Sequence, residues 1–414
     1  MVVVGRIDGG PRTVIVVGAG IVGLSTAWFL QERGVDVTLV ERGGTAASES
    51  HGNAGWVSPA LALPLNSPAL IRAGWRSLSD GAPVHLPMTA NSGLAAFAVQ
   101  FAAHCRRSSR ERATLAAAAF NEDAIEAFDV LTANGVDADV RETTITALFR
   151  TPRGARRMLR ELADAGQVDT LSGGAVRERV PAASSASTAA LAIGGQRLVE
   201  PGAFVRALER SVLERGATLR TVDARAVFSS GNGVTVYAGA GEPLTADAAV
   251  IATGAWLPRL TRGRIRVPIQ SARGYAFTVP TDIPVSEPVY LPDLHVMCTP
   301  RPGGLHVSGS VEFRDTYEPA MTERVGAIVA AVDSVLDGVR WAERTDIRVV
   351  SSPVSPDGRP LIGEISRAVY AAGGHGLWGL THGPVTGRLL AEYVTTGKQP
   401  DPLREFDPLR RTGR

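Results

Sequence analysis

The chain has 414 residues, 44% apolar and 20% charged, with a formal net charge of +2. This length accommodates two lobes around one shared pocket, and so small a charge, without any basic run interleaved with aromatics, gives no reason to expect a nucleic-acid partner. Cys105 and Cys298 are the only cysteines, which excludes a four-cysteine iron–sulfur cluster within the chain and argues against a disulfide framework.

Met1 to Arg12 lacks the apolar core of a signal peptide, and no run of about twenty apolar residues follows; the expected location is cytoplasmic. The β-branched run Val14 to Val17 leads into Gly18-Ala19-Gly20-Ile21-Val22-Gly23 and an amphipathic stretch from Leu24 to Arg33. This is strand, glycine turn and helix. Gly18 permits the turn, Gly20 lets backbone approach a pyrophosphate, and Gly23 lets the helix close on the strand. Ile21 and Val22 open that helix, whose N-terminus attracts an anion. A second strand, Val35 to Val40, ends at Glu41 and Arg42, and Glu41 lies at the spacing of an acid that binds ribose hydroxyls. It would repel a 2′-phosphate.

Leu94 to Ala103 is apolar and ends near Arg106 and Arg107. It is too short to span a bilayer; a core helix and weak peripheral contact with a membrane both fit it. A helical segment is expected from about 93 to 170, and Pro181 to Ala190 reads as a connector. Next comes a helix whose Phe204, Leu208 and Leu213 can face the core. Ala217 to Val227 and Val234 to Tyr237 read as strands around a Gly231-Asn232-Gly233 turn. The first of these is expected to pass an adenine at the backbone of Ala224, although a plain sheet strand fits equally. Ala248 to Ala252 reads as a buried strand running into Thr253-Gly254-Ala255-Trp256. Strands follow from about 265 to 315, with Gly303-Gly304 as a hairpin tip.

Near the end, Gly373-Gly374-His375-Gly376-Leu377-Trp378-Gly379-Leu380-Thr381-His382-Gly383-Pro384 precedes a helix through Tyr393. Pro384 suits the first helical position, with Thr381 or His382 as cap. The glycines before a helix N-terminus let a flat ring lie against bare backbone. Lys398 is the only lysine, which disfavours Schiff-base chemistry and a lysine that activates oxygen.

These blocks, with Ser50-His51-Gly52-Asn53-Ala54-Gly55-Trp56-Val57-Ser58-Pro59, Arg273-Gly274-Tyr275 and Ser355-Pro356-Asp357-Gly358-Arg359-Pro360-Leu361-Ile362-Gly363, occur in an order that resembles the D-amino acid oxidase-like flavoproteins. The likeness is strongest to the small subunit of D-amino acid dehydrogenase and covers roughly residues 13 to 400. It implies one FAD, held without a covalent bond, and oxidation of a C–N bond by hydride transfer to flavin N5. The acceptor of the electrons stays open between oxygen, a quinone and a partner protein.

The implied fold is α/β: a two-dinucleotide-binding-type FAD domain with a second α+β substrate domain of mixed sheet plus helices. Residues 1–60, 185–262 and 345–414 are assigned to FAD, and 61–184 and 263–344 to the substrate. The resemblance implies that Gly374, His375, Gly376, Leu377, Gly379 and Thr381 form the flavin bed and that Thr253, Gly254 and Trp256 close over the cofactor. Asn53, Ala54 and Gly55 are expected at the ring edge. His51 is a candidate for a covalent anchor or a loose pocket histidine. Tyr275 is a candidate substrate contact or core tyrosine, and His382 can reach the pyrimidine end of the flavin or merely cap the helix.

One departure stands out. Val350-Ser351-Ser352-Pro353 aligns with the family's Gly-x-Arg-Pro, whose arginine pairs with a substrate carboxylate. Ser352 cannot make that pair. Either another arginine, such as Arg273, Arg301, Arg314 or Arg348, enters the pocket, or the small-molecule amine or amino acid has no carboxylate there. A non-catalytic or electron-relay flavoprotein subunit of a larger complex is the alternative.

Overall fold

The computed structural model describes residues 9–43, 52–68, 84–85, 92–162, 166–231, 233–239, 241–261, 263–314, 318–319 and 321–411. His51 and Asn232 lie outside the described residues. The architecture is α/β, with a parallel sheet and a large mixed sheet.

The first sheet has six strands in the order β18 (Leu361–Ser366), β19 (Val369–Gly373), β12 (Ala248–Ile251), β1 (Thr13–Val17), β2 (Asp36–Glu41), β8 (Thr218–Thr221). All neighbours run parallel except β18. From β1 the chain goes to β2 and β8 on one side and returns to β12 and β19 on the other. The strand order therefore reverses at β1 and β12, where a crevice opens beyond the strands' carboxyl ends.

The helix Ile21–Glu32 is buried from Gly23 to Leu30, not amphipathic as its sequence suggested, because two neighbours enclose it. One is the helix Gly379–Thr396; the other is Pro201–Glu214, which buries Phe204 and Leu208. Leu213 was expected inward and is instead exposed. The helix Arg107–Ala133 adds Phe120, Ala124 and Phe128 to the same core as Trp28.

A three-stranded sheet orders β11 (Leu244–Ala246), β10 (Gly233–Ala238) and β9 (Ala224–Ser230). The expected single strand from 217 to 227 is thus two: β8 joins the parallel sheet, and β9 pairs antiparallel with β10.

The large sheet has ten strands. Its main path is β17 (Thr345–Val354), β13 (Gln270–Val279), β16 (Gly304–Phe313), β15 (Val296–Arg301), β14 (Val289–Leu291), β5 (Val140–Phe149), β7 (Ala189–Val199) and β3 (Trp56–Val57), with β4 (Val84–His85) on β16 and β6 (Val168–Ser172) on β7. Strands β3, β7 and β17 were assigned by sequence to the FAD-binding pieces, yet they run in this sheet. The expected helical segment from 93 to 170 also differs, because β5 interrupts it. Gly303 and Gly304 do form a hairpin tip, with Arg301 opposite Gly304.

Alternation gives the large sheet two faces. Tyr275, Phe277, Val279 and Val307 pack on one side against Val325, Ile328 and Val332 of the helix Thr322–Asp333. The other side turns toward Gly52–Trp56. The helix Ser92–His104 buries Leu94, Phe97 and Phe101 against Ala272, Val311, Phe313 and Val354. No helix among the described residues is long and apolar enough to cross a membrane.

Candidate active site

The glycine turn is shaped by contacts that exclude a side chain. Gly18 has φ of 107°, and a Cβ there would lie 2.4 Å from Ala252 O. A Cβ on Gly23 would lie 1.9 Å from Gly18 O. Gly20 has open space on that side and caps the helix Ile21–Glu32 without a side-chain hydrogen bond. The helix N-terminus therefore presents bare N–H groups. Glu41 anchors the turn: one carboxylate oxygen accepts from Ala19 N at 2.9 Å, and the other accepts from Arg42 N at 2.7 Å.

A cavity of about 310 Å³ is lined by both this turn and the late glycine block. Its lining includes Glu41, Arg42, Val222, Asp223 and Ala224, and the Arg42 guanidinium stands 4.4 Å over the Trp256 ring. Ile21, Val22, Thr253 and Gly254 line it too. So do Asn53, Val350, Ser352, His375, Gly376, Leu377 and Gly379. Gly20, the Ile21–Glu32 N-terminus and Glu41 suit the diphosphate and ribose of a dinucleotide. The glycine-rich wall beyond them leaves room for a flat ring.

Several predicted residues stand elsewhere. Tyr275 faces the opposite side of the large sheet, where its hydroxyl donates to Glu312 Oε2 at 2.7 Å and accepts from Met321 N at 3.1 Å. A one-residue step along a strand reverses the face, and of the two readings of Tyr275 the structure matches the core tyrosine. His382 is buried away from the cavity lining, with Nε2 2.8 Å from Asn121 Oδ1. The helix starts at Gly379, not Pro384, and Trp378 occupies its cap. Thr381 and His382 thus lie inside it, and Thr381, expected at the cofactor, is off the cavity lining. The Thr381 hydroxyl accepts from Ser58 N and donates to Trp56 O, joining the helix to β3.

His375 lines the cavity while its Nε2 meets Thr386 Oγ1 at 2.9 Å. Burial, then the neighbouring His382, lowers its pKa to about 3; burial lowers that of His382 to about 4. Both rings are neutral at pH 7. Gly374 sits behind the lining, where a Cβ would lie 3.0 Å from Ile269 Cδ1. Ala54 and Gly55 also lie behind it, and a Cβ on Gly55 would lie 2.2 Å from Val199 O. Lys398 is exposed beyond the last long helix.

Ser352 lines the cavity, and strand register sorts the four arginines that the sequence offered as carboxylate partners. Ser352 pairs with Ala272, whereas Arg273 pairs with Ser351 and so faces the far side. There it donates to Glu318 O and Pro319 O. Arg314 is bound to Glu312 and Glu318. Arg348 shares the face of Ser352 but lies four residues away, roughly 13 Å along an extended strand, and pairs with Asp346 at 2.7 Å. Arg301 donates to Asn53 O at 2.9 Å.

Thr299 and His306 escaped the sequence reading although they meet the Gly52–Ala54 backbone. A signal for them existed. The hairpin at Gly303 and Gly304 places residues 299, 301 and 306 on one face once its register is known.

Residues 13–393 match the family described as FAD dependent oxidoreductase (DAO). The chain belongs to this family. As a member it is an FAD-dependent oxidoreductase, and its glycine turn, Glu41 and glycine-rich wall fit that cofactor. It is 28% identical to a D-amino acid dehydrogenase of Methylobacterium sp. (strain 4-46), over 95% of this chain and 97% of the relative. It is 27% identical to one of Vibrio vulnificus (strain YJ016), over 96% and 99%. The solved glycine oxidase from Geobacillus kaustophilus superposes with a TM-score of 0.74 at 20% identity, covering 97% of this chain and 99% of that one. Iminodiacetate oxidase from Chelativorans sp. BNC1 gives 0.70 at 20%, covering 95% and 98%.

Proposed function

We propose that this flavoenzyme oxidises the C–N bond of an amine or amino acid to an imine, and that its substrate places no free carboxylate beside Ser352. The relatives named as D-amino acid dehydrogenases and glycine oxidase support the reaction class. The observation that carries the substrate reading is the environment of Ser352. It lines the cavity, while Arg273 and Arg314 are committed to the opposite face of the sheet and Arg348 is distant and paired.

The apolar cluster of Phe97, Phe101, Phe313, Val354 and Leu377 includes the strand neighbours of Ser352. A carboxylate left unpaired in such surroundings costs about 3–5 kcal/mol, two to four decades of affinity. A serine hydroxyl offers one hydrogen bond, and an uncharged or apolar group fits better. Bound FAD supplies the hydride acceptor, N5. The protein's task is to align the substrate C–H bond and exclude water. Hydrolysis of the imine then releases the amine nitrogen.

Anaerobic mixing of FAD-loaded protein with D-amino acids, cyclic imino acids and simple amines tests this reading. Bleaching is expected with amines or acid derivatives lacking a free α-carboxylate, more than with common D-amino acids. Efficient bleaching by unmodified D-amino acids would overturn the substrate reading, and no bleaching by any amine would overturn the reaction. Oxygen, a quinone and a partner protein, added separately to reduced enzyme, distinguish the acceptors.

A further inference from the structure

Three consecutive carbonyls between the glycine turn and β3 are held by side chains of the large sheet. His306 Nε2 lies 3.4 Å from Gly52 O, Arg301 Nη2 donates to Asn53 O at 2.9 Å, and Thr299 Oγ1 donates to Ala54 O at 2.9 Å. Thr299 and Arg301 alternate on β15, and His306 pairs with Thr299 in register, so the three share one face. Gly52 lies flat on that face: a Cβ there would stand 2.2 Å from Val350 Cγ2.

The peptide geometry fixes where the amides go. In a trans peptide the N–H opposes the preceding carbonyl, so carbonyls turned to the sheet leave the Asn53, Ala54 and Gly55 amides facing away from it. Gly55 N donates to Asn53 Oδ1 at 2.9 Å. The Asn53 and Ala54 amides make no hydrogen bond among the described residues. Successive N–H groups on one side of a turn favour an electron-rich group, and Asn53 lines the cavity.

The clamp is suited to a permanent role. Burial, then Arg301, lowers the pKa of His306 to about 4, so at neutral pH the ring is uncharged, and its Nε2 must carry the proton because Gly52 O can only accept. Arg301 makes no ion pair among the described residues and brings a fixed positive charge to the same segment.

We propose that Thr299, Arg301 and His306 are positioning residues that turn the Asn53 amide toward the FAD ring, as a donor that favours its reduced, more negative form. The inference rests on FAD as cofactor and is independent of the substrate.

Hydrogen exchange of the wild-type protein tests it first. Peptides covering 52–57 exchange rapidly without FAD and become protected when FAD is added. Unchanged exchange at Asn53 overturns the proposal whether or not any variant folds. Arg301→Gln and Thr299→Val are then expected to weaken FAD binding about tenfold or more and to shift the flavin reduction potential to more negative values. Arg301→Lys and Thr299→Ser recover most of both. Wild-type FAD affinity and potential in Arg301→Gln and Thr299→Val would sink the clamp.

Discussion

Asp357 and Arg410, fifty-three positions apart, meet through two hydrogen bonds, Nε to Oδ2 and Nη2 to Oδ1, each 2.9 Å. Arg359 Nη2 reaches Oδ2 at 3.0 Å as well. The carboxylate is 2% exposed, and Arg410 also donates to Pro360 O and Arg359 O. The end of the chain thereby fastens the Ser355–Gly358 turn that leads from the cavity strand β17 into β18.

Arg410→Ala is expected to destabilise the protein by about 3 kcal/mol, the lower end of the cost of unpairing a buried charge, since Arg359 remains. Urea unfolding of the FAD-loaded protein checks this, and a loss under about 1 kcal/mol would refute it. Burial alone would raise the Asp357 pKa, but the Arg410 hydrogen bonds and the charges of Arg410 and Arg359 outweigh burial and hold it well below the usual range. With the folded pKa depressed, the stabilisation is present above the unfolded pKa of about 4 and lost as pH falls beneath it.

A separate loss begins at higher pH. His306, His375 and His382 are buried, with pKa values lowered to about 4, about 3 and about 4. Below the unfolded value of about 6.5 the unfolded chain takes up protons that the folded chain refuses, so stability falls as pH drops toward 4. Each histidine contributes at most about 1.4 kcal/mol per pH unit in that window. Replacing His382 by Gln should flatten the slope of unfolding free energy against pH between 6 and 4, and an unchanged slope would refute its share.

The helices Ile21–Glu32 and Gly379–Thr396 approach through glycine. A Cβ on Gly387 would lie 2.5 Å from the Ser25 carbonyl carbon and 2.7 Å from Thr26 N. Because those atoms are backbone, Gly387→Ala must push the helices apart, at about 3 kcal/mol. Thermal unfolding reads this, and because the first helix's N-terminus abuts the cofactor cavity, FAD affinity should fall with it. Gly326→Ala, in the helix Thr322–Asp333 and off the cavity lining, whose Cβ would meet nothing within 4 Å, serves as the control.

Ser352→Arg is expected to supply a carboxylate partner. Bleaching by small D-amino acids should improve at least about tenfold in kcat/KM, corresponding to about 1.4 kcal/mol, and the activity toward uncharged amines should drop. If both substrate classes respond alike to the substitution, Ser352 does not set the specificity.

Much of the candidate cavity could be read from order and spacing, because its contacts are local: Gly18, Gly20 and Gly23 form one turn, and Glu41 closes on Ala19 within 22 residues. The run of glycines from Gly373 to Gly379 announced a wall of bare backbone in the same way. Tyr275, which the sequence left open between substrate and core, and Leu213, expected inward, show where such reading stops. A side chain's face depends on strand register and on which neighbour covers a helix, and neither is encoded in the local pattern.

The sequence by itself determined the glycine turn with Glu41 and placed a serine at 352, where the family resemblance implies an arginine, since both are matters of residue identity at fixed spacing. Only the tertiary structure decided that Arg273 and Arg314 cannot take that arginine's place, and that Thr299, Arg301 and His306 gather on the Gly52–Ala54 backbone. The physical reason is alternation: in a sheet, a single step of register carries a side chain to the other face, and register is set by pairing partners distant in the chain.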